Sequence, residues 1–429
     1  MAFIAENDSH WAVMRGRSGF CQDCRTPVDA VVLFLTVSEE WSLVLSSENP
    51  SEESATQALR PEKARVTFCI NELDPGGAEK ALVRVAAGLL AKDWQVNVVS
   101  LRDLGALAEP LVLEGIPVVA LGCGGLLDVR AIFRLRRVLR QQRPDVLVCF
   151  LHQANIVGRI SGWLARVPTV VSGIRVADRR SWVVWTDRIT RGLSRHYVAV
   201  SRHVADVHAA LCRIPRDRVT VIPNGVDVPE IQPLPADRED SQFRILFVGR
   251  LTRQKRPQSL IRAVAALPEG LRDRTVLDLL GDGELRAELQ NQIDSLGLAD
   301  RIRLHGQQSD VPDWMVQSDV LVLPSEWEGL PNVILEAMAR GLPVIATAVD
   351  GVSEIIEHEQ TGWMVPPGNV SALAESLAMV SADEDLRNVV ANRAFDAVRQ
   401  RFRWDKTIDA FDELLSGLVE RLIDVQKHT

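Results

Sequence analysis

The sequence predicts an α/β fold of two Rossmann-like, doubly wound domains that face each other across a cleft. Three observations predict it. From Arg65 onward, short β-branched runs alternate with glycine or polar loops and then helical stretches, the pattern of a parallel sheet covered on both faces. The alternation breaks at residues 228–242, a segment rich in proline and charge, and restarts at Phe243. The chain has 429 residues, enough for two or three separate cores.

Residues 1–60 differ from the rest. They hold nine acidic residues against four basic ones, one short apolar run at 30–37, and the polar segment SSENPSEESATQ. This reads as an N-terminal extension, partly disordered. The first domain is expected at 61–227. Its strands read at 66–71, 96–101, 117–121, 146–150, 169–173, 196–200 and 219–222. Helices read at 78–91, 108–114, 129–141, 154–165, 180–191 and 204–211. After the linker the second domain is expected at 243–403, with strands at 243–248, 275–280, 302–305, 320–323 and 344–347. Its helices read at 257–266, 284–295, 311–317, 332–340, 352–357, 370–380 and 384–401, and an amphipathic helix at 404–425 closes the chain. Pro331 suits the first turn of the helix at 332–340, while Gly341 followed by Pro343 is a stop signal. Ligands of such sheets lie at the C-terminal ends of the strands, so function belongs to the loops that follow them.

Net charge is −8, which leaves no overall footprint for nucleic acid. The six cysteines are scattered and several fall in apolar runs, as buried thiols in a reducing compartment would. Cys21-x-x-Cys24 has no second Cys/His pair nearby to complete a metal site. No apolar run approaches the ~20 residues that span a bilayer, and no signal peptide is evident at the N-terminus. A cytoplasmic location is the expectation.

Two stretches carry chemistry. In Pro324-Ser-Glu-Trp-Glu-Gly-Leu-Pro, followed by Asn-Val-Ile-Leu-Glu336, the free N–H groups of Gly329, Leu330, Asn332 and Val333 would point from a helix N-terminus at an anion. Glu336, amid an apolar run, would sit deep and offer a carboxylate to a diol. The same residues also suit a core helix with a capping Glu328 and a salt-bridged Glu336. In Val248-Gly249-Arg250-Leu-Thr-Arg-Gln-Lys255, Arg250 and Lys255 can converge on one diphosphate, with Gly249 letting the ligand approach the backbone. A solvated basic loop is the alternative. Gly281-Asp-Gly is too short for a dinucleotide fingerprint and reads as close backbone approach or as a plain turn.

Taken together, Val248-Gly-Arg-Leu with Lys255, Gly281-Asp-Gly, Pro324-Ser-x-x-Glu328-Gly-Leu-Pro with Glu336 eight residues after Glu328, and Ile222-Pro-Asn-Gly-Val-Asp227 resemble the retaining nucleotide-sugar glycosyltransferases of family four, which have the GT-B fold. Pro75-Gly76-Gly77-Ala78-Glu79 resembles the family's acceptor-side glycine loop. The resemblance runs over about residues 65–425 and implies that the last helix returns to the first domain. It further implies that Arg250 and Lys255 bind the donor diphosphate, that Glu336 holds the ribose, and that Glu328 and His152 touch the transferred sugar. Gly76, Gly77, Gly249, Gly281, Gly329, Leu330, Pro331 and Asn332 would line the donor, and Ser201 would be structural. Arg175 stands where many members have a histidine, which makes it an acceptor-side candidate.

The reaction so implied is retaining transfer of a hexose from a nucleotide-diphosphate sugar to a glycan or lipid-linked acceptor, in cell-surface polysaccharide or glycolipid synthesis. A nucleotide-sugar epimerase and a non-catalytic nucleotide-sugar-binding partner subunit are the alternatives. No metal or other cofactor is expected, since the only Asp-x-Asp spacing, at Asp383 and Asp385, opens a surface-like helix. Between Arg130 and Arg195 fourteen Arg and Lys face three Asp, with Trp163, Trp182 and Trp185 interleaved. This mixture fits either an anionic membrane surface as partner or solvated helix faces over core tryptophans.

Overall fold

The structure is a computed structural model that describes residues 11–15, 31–35, 64–124, 128–230 and 241–427. Cys21, Cys24 and residues 231–240 of the expected linker lie outside the described residues, as does the N-terminal extension apart from two short strands. Those strands, β1 (Trp11–Arg15) and β2 (Val31–Leu35), pair antiparallel.

The first domain is a seven-stranded parallel sheet of β3 (Arg65–Ile70), β4 (Gln95–Ser100), β5 (Val118–Ala120), β6 (Val146–Phe150), β7 (Thr169–Ile174), β8 (His196–Ala199) and β9 (Val219–Val221). Its spatial order is β5-β4-β3-β6-β7-β8-β9. The helices are α1 (Gly77–Leu90), α2 (Ala108–Leu113), α3 (Arg130–Gln142), α4 (His152–Ala165), α5 (Ser181–Thr190) and α6 (Arg202–Cys212). Strands β3 and β6 are buried almost throughout, because helices cover both faces of the sheet.

The second domain is a six-stranded parallel sheet of β10 (Phe243–Val248), β11 (Thr275–Leu280), β12 (Ile302–Gly306), β13 (Val320–Leu323), β14 (Val344–Thr347) and β15 (Trp363–Val365), in the order β12-β11-β10-β13-β14-β15. Its helices are α7 (Pro257–Ala265), α8 (Glu269–Arg272), α9 (Arg286–Ser295), α10 (Val311–Val316), α11 (Asn332–Met338), α12 (Val370–Ala382) and α13 (Glu384–Arg401). The long α14 (Trp404–Lys427) then packs on α1, where Phe411 joins the core of the first domain beside Phe150. The chain crosses between domains twice, side by side: Val226 N–H donates to Phe402 O at 2.7 Å, and Gly225 lies flat against Trp404.

Three differences from expectation bear on the strand-end loops. The helix expected at 352–357 is a 3₁₀ turn, Asp350–Glu354. The helix expected from 154 begins two residues earlier, at His152 itself. Helix α11 stops at Met338, and its Glu336 is only half-buried. No helix of the described residues is long and apolar enough to cross a membrane.

Candidate active site

Each sheet reverses its strand order once, between β3 and β6 and between β10 and β13. Ligands of doubly wound sheets bind beyond the strand ends at these switch points. The four loops there hold Gly76 and Gly77, Leu151 and His152, Gly249 to Arg256, and Pro324 to Pro331. Ten of the fourteen candidate residues therefore fall on these four loops, with Arg175, Gly281, Asn332 and Glu336 outside them.

On the second domain the structure joins Lys255 to Glu328. Lys255 Nζ donates to Glu328 Oε1 at 2.6 Å, with both side chains largely buried. Ser325 Oγ donates to the same oxygen at 2.6 Å, and Thr347 Oγ1 fixes the loop by donating to Ser325 O at 2.5 Å. Ser325 belongs to the sequence motif but had no role assigned to it there. Glu328, expected on an open loop, is only 5% exposed because it folds back under Ser325 and Lys255. Arg250 is exposed, and among the described residues its guanidinium makes no hydrogen bond. Glu326 pairs with Arg256 Nη1 at 2.8 Å, away from Lys255.

Glu336 does not sit deep in an all-apolar helix, as its neighbours predicted. It shares the i, i+3, i+7 stripe of Val333, Glu336 and Arg340, which is half-buried. The N–H groups of Gly329, Leu330, Asn332 and Val333 make no hydrogen bond within the described residues, while Leu330 and Pro331 are buried. Gly249 and Gly281 offer no free donor: Gly249 N–H donates to Leu280 O at 3.0 Å and Gly281 N–H to Gly306 O at 2.7 Å. Gly281 has φ +131°, and a side chain there would overlap Gly249 O, so loop packing explains this glycine.

The facing wall belongs to the first domain. Arg175 spreads over the Phe150 ring, 3.8 Å from its centre, and donates from Nη1 to Asn224 Oδ1 at 2.7 Å. Burial lowers its pKa to about 9, against the opposing pull of Glu79. Asn224 Nδ2 donates to Asn332 Oδ1 at 2.8 Å, and Asn332 Nδ2 reaches Gly77 O at 3.3 Å. Arg175 and Asn332, expected on acceptor and donor respectively, thus belong to one chain of hydrogen bonds across the cleft. Gly329 permits it, because a Cβ there would overlap Arg175 O. Glu79 folds over Gly76 at the start of α1, and burial raises its pKa while Arg250 and Arg175 offset part of that rise.

A second bridge escaped sequence reasoning. Glu354 of the second domain accepts at Oε2 from Arg202 N–H (2.9 Å) and at Oε1 from His203 N–H (2.8 Å), at the N-terminus of α6. His203 Nε2 also meets Asp350 at 2.8 Å. Ser201, the helix cap, accepts from Val204 N–H at 3.2 Å, which is the structural part expected of it.

His152 opens α4 directly after Leu151, a non-glycine residue held at φ +75° and ψ 156°. Its ring turns onto α5, with Nε2 3.2 Å from Thr186 Oγ1, Nδ1 3.4 Å from Asp187 Oδ2, and the Trp182 ring edge-on at 5.2 Å. Asp187, His208 and Cys212 form the one Asp/Cys/His cluster of metal-ligand proximity among the described residues. Its carboxylate is already committed to Arg159 Nη1 at 2.5 Å, and burial pushes the Cys212 thiol up to about 12. At the Asp-x-Asp spacing, Asp383 caps α13 by accepting from Leu386 N–H at 2.8 Å. A cavity of about 850 Å³ lies at the other end of the first sheet, lined by Trp163, Arg195, His196 and Arg421, far from these loops.

The fold is that of GT-B glycosyltransferases. The pattern described as Glycosyl transferases group 1 matches residues 233–396, and that of Glycosyltransferase Family 4 matches residues 75–230. An uncharacterised glycosyltransferase of Methanocaldococcus jannaschii is 30% identical over 290 residues, which cover 62% of this chain and 74% of the relative. The UDP-Gal:α-D-GlcNAc-diphosphoundecaprenol α-1,3-galactosyltransferase of Escherichia coli is 27% identical over 68% of this chain and 80% of its own length. Among solved structures, Anabaena HepE in complex with UDP-glucose superimposes with a TM-score of 0.73 at 23% identity, over 83% of this chain and all of HepE. The chain belongs to glycosyltransferase family four and is a glycosyltransferase.

Proposed function

We propose that the protein transfers a hexose from a UDP-sugar to a lipid-linked or glycan acceptor in cell-surface polysaccharide or glycolipid synthesis, with retention of configuration and without a metal. The observation that carries this reading is the buried Lys255–Glu328–Ser325 cluster, on whose loop Arg250 is exposed and makes no hydrogen bond among the described residues. An arriving donor would separate the pair: its diphosphate takes Lys255 and Arg250, and a sugar hydroxyl takes Glu328. Both new contacts are charge-assisted, so the buried charges exchange partners rather than lose them. Breakage of the anomeric carbon–phosphate oxygen bond builds negative charge on the diphosphate, and the fixed cations stabilise it. The acceptor oxygen bonds to the anomeric carbon on the same face, and its proton passes to the departing phosphate oxygen. Glu336 would receive the ribose and the open N–H groups of residues 329–333 a phosphate. The names of relatives that use a UDP-sugar and a diphosphoundecaprenol acceptor favour these substrate classes.

The acceptor class accounts for the outer face of the first domain. Phe133, Trp163, Trp182, Trp185 and Ile189 are exposed on α3, α4 and α5, among the arginines counted above. This face would rest on anionic headgroups at the cytoplasmic side of a membrane. The enzymatic test is hydrolysis of UDP-glucose, UDP-galactose and UDP-N-acetylglucosamine, with and without EDTA. Release of UDP that persists in EDTA and vanishes in Lys255→Ala is expected. Release that survives Lys255→Ala would refute the site, and release abolished by EDTA and restored by Mg²⁺ would refute metal independence.

A further inference from the structure

We propose that Asp187 is a positioning residue for His152, fixing the tautomer and orientation of its ring, and that α5 is the element through which it acts. The proposal rests on the reading of His152 as a donor-sugar contact. Three residues of α5 meet one imidazole: Trp182 by its ring edge, Thr186 at Nε2 and Asp187 at Nδ1. Among the described residues, no other helix supplies a partner to either ring nitrogen. His152 itself follows a leucine held in the left-handed half of φ space, a conformation that persists only where surrounding structure imposes it.

Asp187 is built for more than its pair with Arg159. Oδ1 takes Arg159 Nη1 at 2.5 Å, and Arg159 is held in turn by Thr190 Oγ1 at 3.0 Å, by Ser172 Oγ at 2.9 Å, and over the Tyr197 ring. Oδ2 is left to face two histidines, His152 Nδ1 at 3.4 Å and His208 Nε2 at 3.8 Å. Burial drives His208 down to about 4, so near neutrality it is uncharged. Burial alone would push Asp187 up, yet the hydrogen bond from His152 and the charges of Arg159 and His208 bring it down to about 2, so it is a carboxylate throughout the working range. A permanent carboxylate at Nδ1 places the hydrogen there and leaves Nε2 as the ring atom that changes partners. Thr186 is suited to release Nε2, because its hydroxyl has two helix carbonyls, Trp182 O and Val183 O, each at 2.9 Å, as other acceptors. A donor hydroxyl would then take the place of Thr186. Asp178 is the remaining charged group that senses His152, and it is tied to Arg180.

The test is Asp187→Asn, read three ways. Nitrogen-15 NMR of the imidazoles at pH 7.5, with His152→Gln to assign the signal, is expected to show hydrogen on Nδ1 in the parent and redistribution toward Nε2 in the variant. Hydrolysis of the UDP-sugar that the panel identifies is expected to fall ~10- to 100-fold in kcat, the range for loss of a carboxylate that orients a histidine, with KM changed less than about threefold. In the His152→Ala background the same change is expected to have no further effect. An unchanged tautomer, or an equal loss in both backgrounds, overturns the proposal. If His152→Ala keeps full activity, the reading of His152 falls while the NMR result still decides the link to Asp187. Should Asp187→Asn not fold because Arg159 is left unpaired, Arg159→Met with Asp187→Leu removes both charges together, and the same tautomer shift is expected.

Discussion

The two walls of the cleft are built differently. On the second domain the candidate groups come from two loops beside one switch point, and their contacts are short and mutual: Lys255, Ser325 and Glu328 converge on one oxygen. On the first domain His152 is oriented by residues 30 to 35 positions downstream on α5, and Arg175 is held by Asn224, itself tied to the opposite domain. The charged cluster of the second domain is held within its own loops, whereas the facing wall depends on helix packing and on how the domains meet. Substitutions on the two walls should therefore fail in different ways.

The largest effect is expected at Lys255. Lys255→Ala leaves Glu328 buried with Ser325 as its remaining partner, and breaking such a pair from one side costs about 3–5 kcal/mol. UDP-sugar hydrolysis should fall roughly 100- to 1,000-fold, as for loss of a preorganised group that meets developing charge. Urea unfolding and initial rates check both. Normal stability with lost activity would mean that the pair is not the buried structural unit described here.

Acid separates the walls next. His208 has a folded pKa of about 4 against an ordinary value near 6.5, because burial penalises its charged form. The unfolded chain therefore binds the proton first: the stability is fully present above about 6.5 and is lost as pH falls toward 4. Over that span the linkage amounts to roughly 3 kcal/mol. His208→Leu should flatten the urea midpoint between pH 7 and 5. Asp187 acts lower, its contribution being present above about 3.8 and lost as pH falls through about 2.

Domain approach is the third lever. Gly329→Ala sets a methyl against Arg175 O, so the domains must part slightly. A displacement near 1 Å costs roughly 100-fold in rate where groups must converge. Hydrolysis should drop by about that much with little change in urea midpoint, and small-angle scattering should show a larger radius of gyration. Glu354→Gln tests the second bridge more gently, with an expected loss of about 0.5–2 kcal/mol for a weakened helix cap.

These differences also explain what could be read from the sequence. Both sheets were legible because their strands are continuous apolar runs, and Lys255 and Glu328 because they sit in strand-end loops whose sequence resembles a known family's. Glu354 was not, since the helix terminus it caps lies about 150 residues away and the match exists only after both domains fold. Asp187 was hidden for another reason: it lies on a helix whose arginines and tryptophans read as surface, and its buried position depends on α4 and α6 packing behind it. Glu336 misled in the opposite direction. Its neighbours are apolar, but a seven-residue helix against one sheet leaves a stripe uncovered, and Glu336 is on it.

The smallest expected effect bears on the outer face. Trp185 and Ile189 are 64% and 60% exposed on α5 and are not among the residues that hold His152. Replacing both by Ser should change stability by no more than about 0.5 kcal/mol, as for exposed positions generally, and should leave UDP-sugar hydrolysis intact. Sedimentation with vesicles rich in anionic lipid should nevertheless weaken, most clearly at high salt, because the arginines that remain are screened within about 10 Å at 0.1 M salt while the lost apolar contact is not. Equal binding by parent and variant at both salt concentrations would assign the tryptophans to another partner. The contrast between the walls would then be sharper still: a second-domain cluster held within its own loops, and a first-domain wall whose His152 follows the packing of α5.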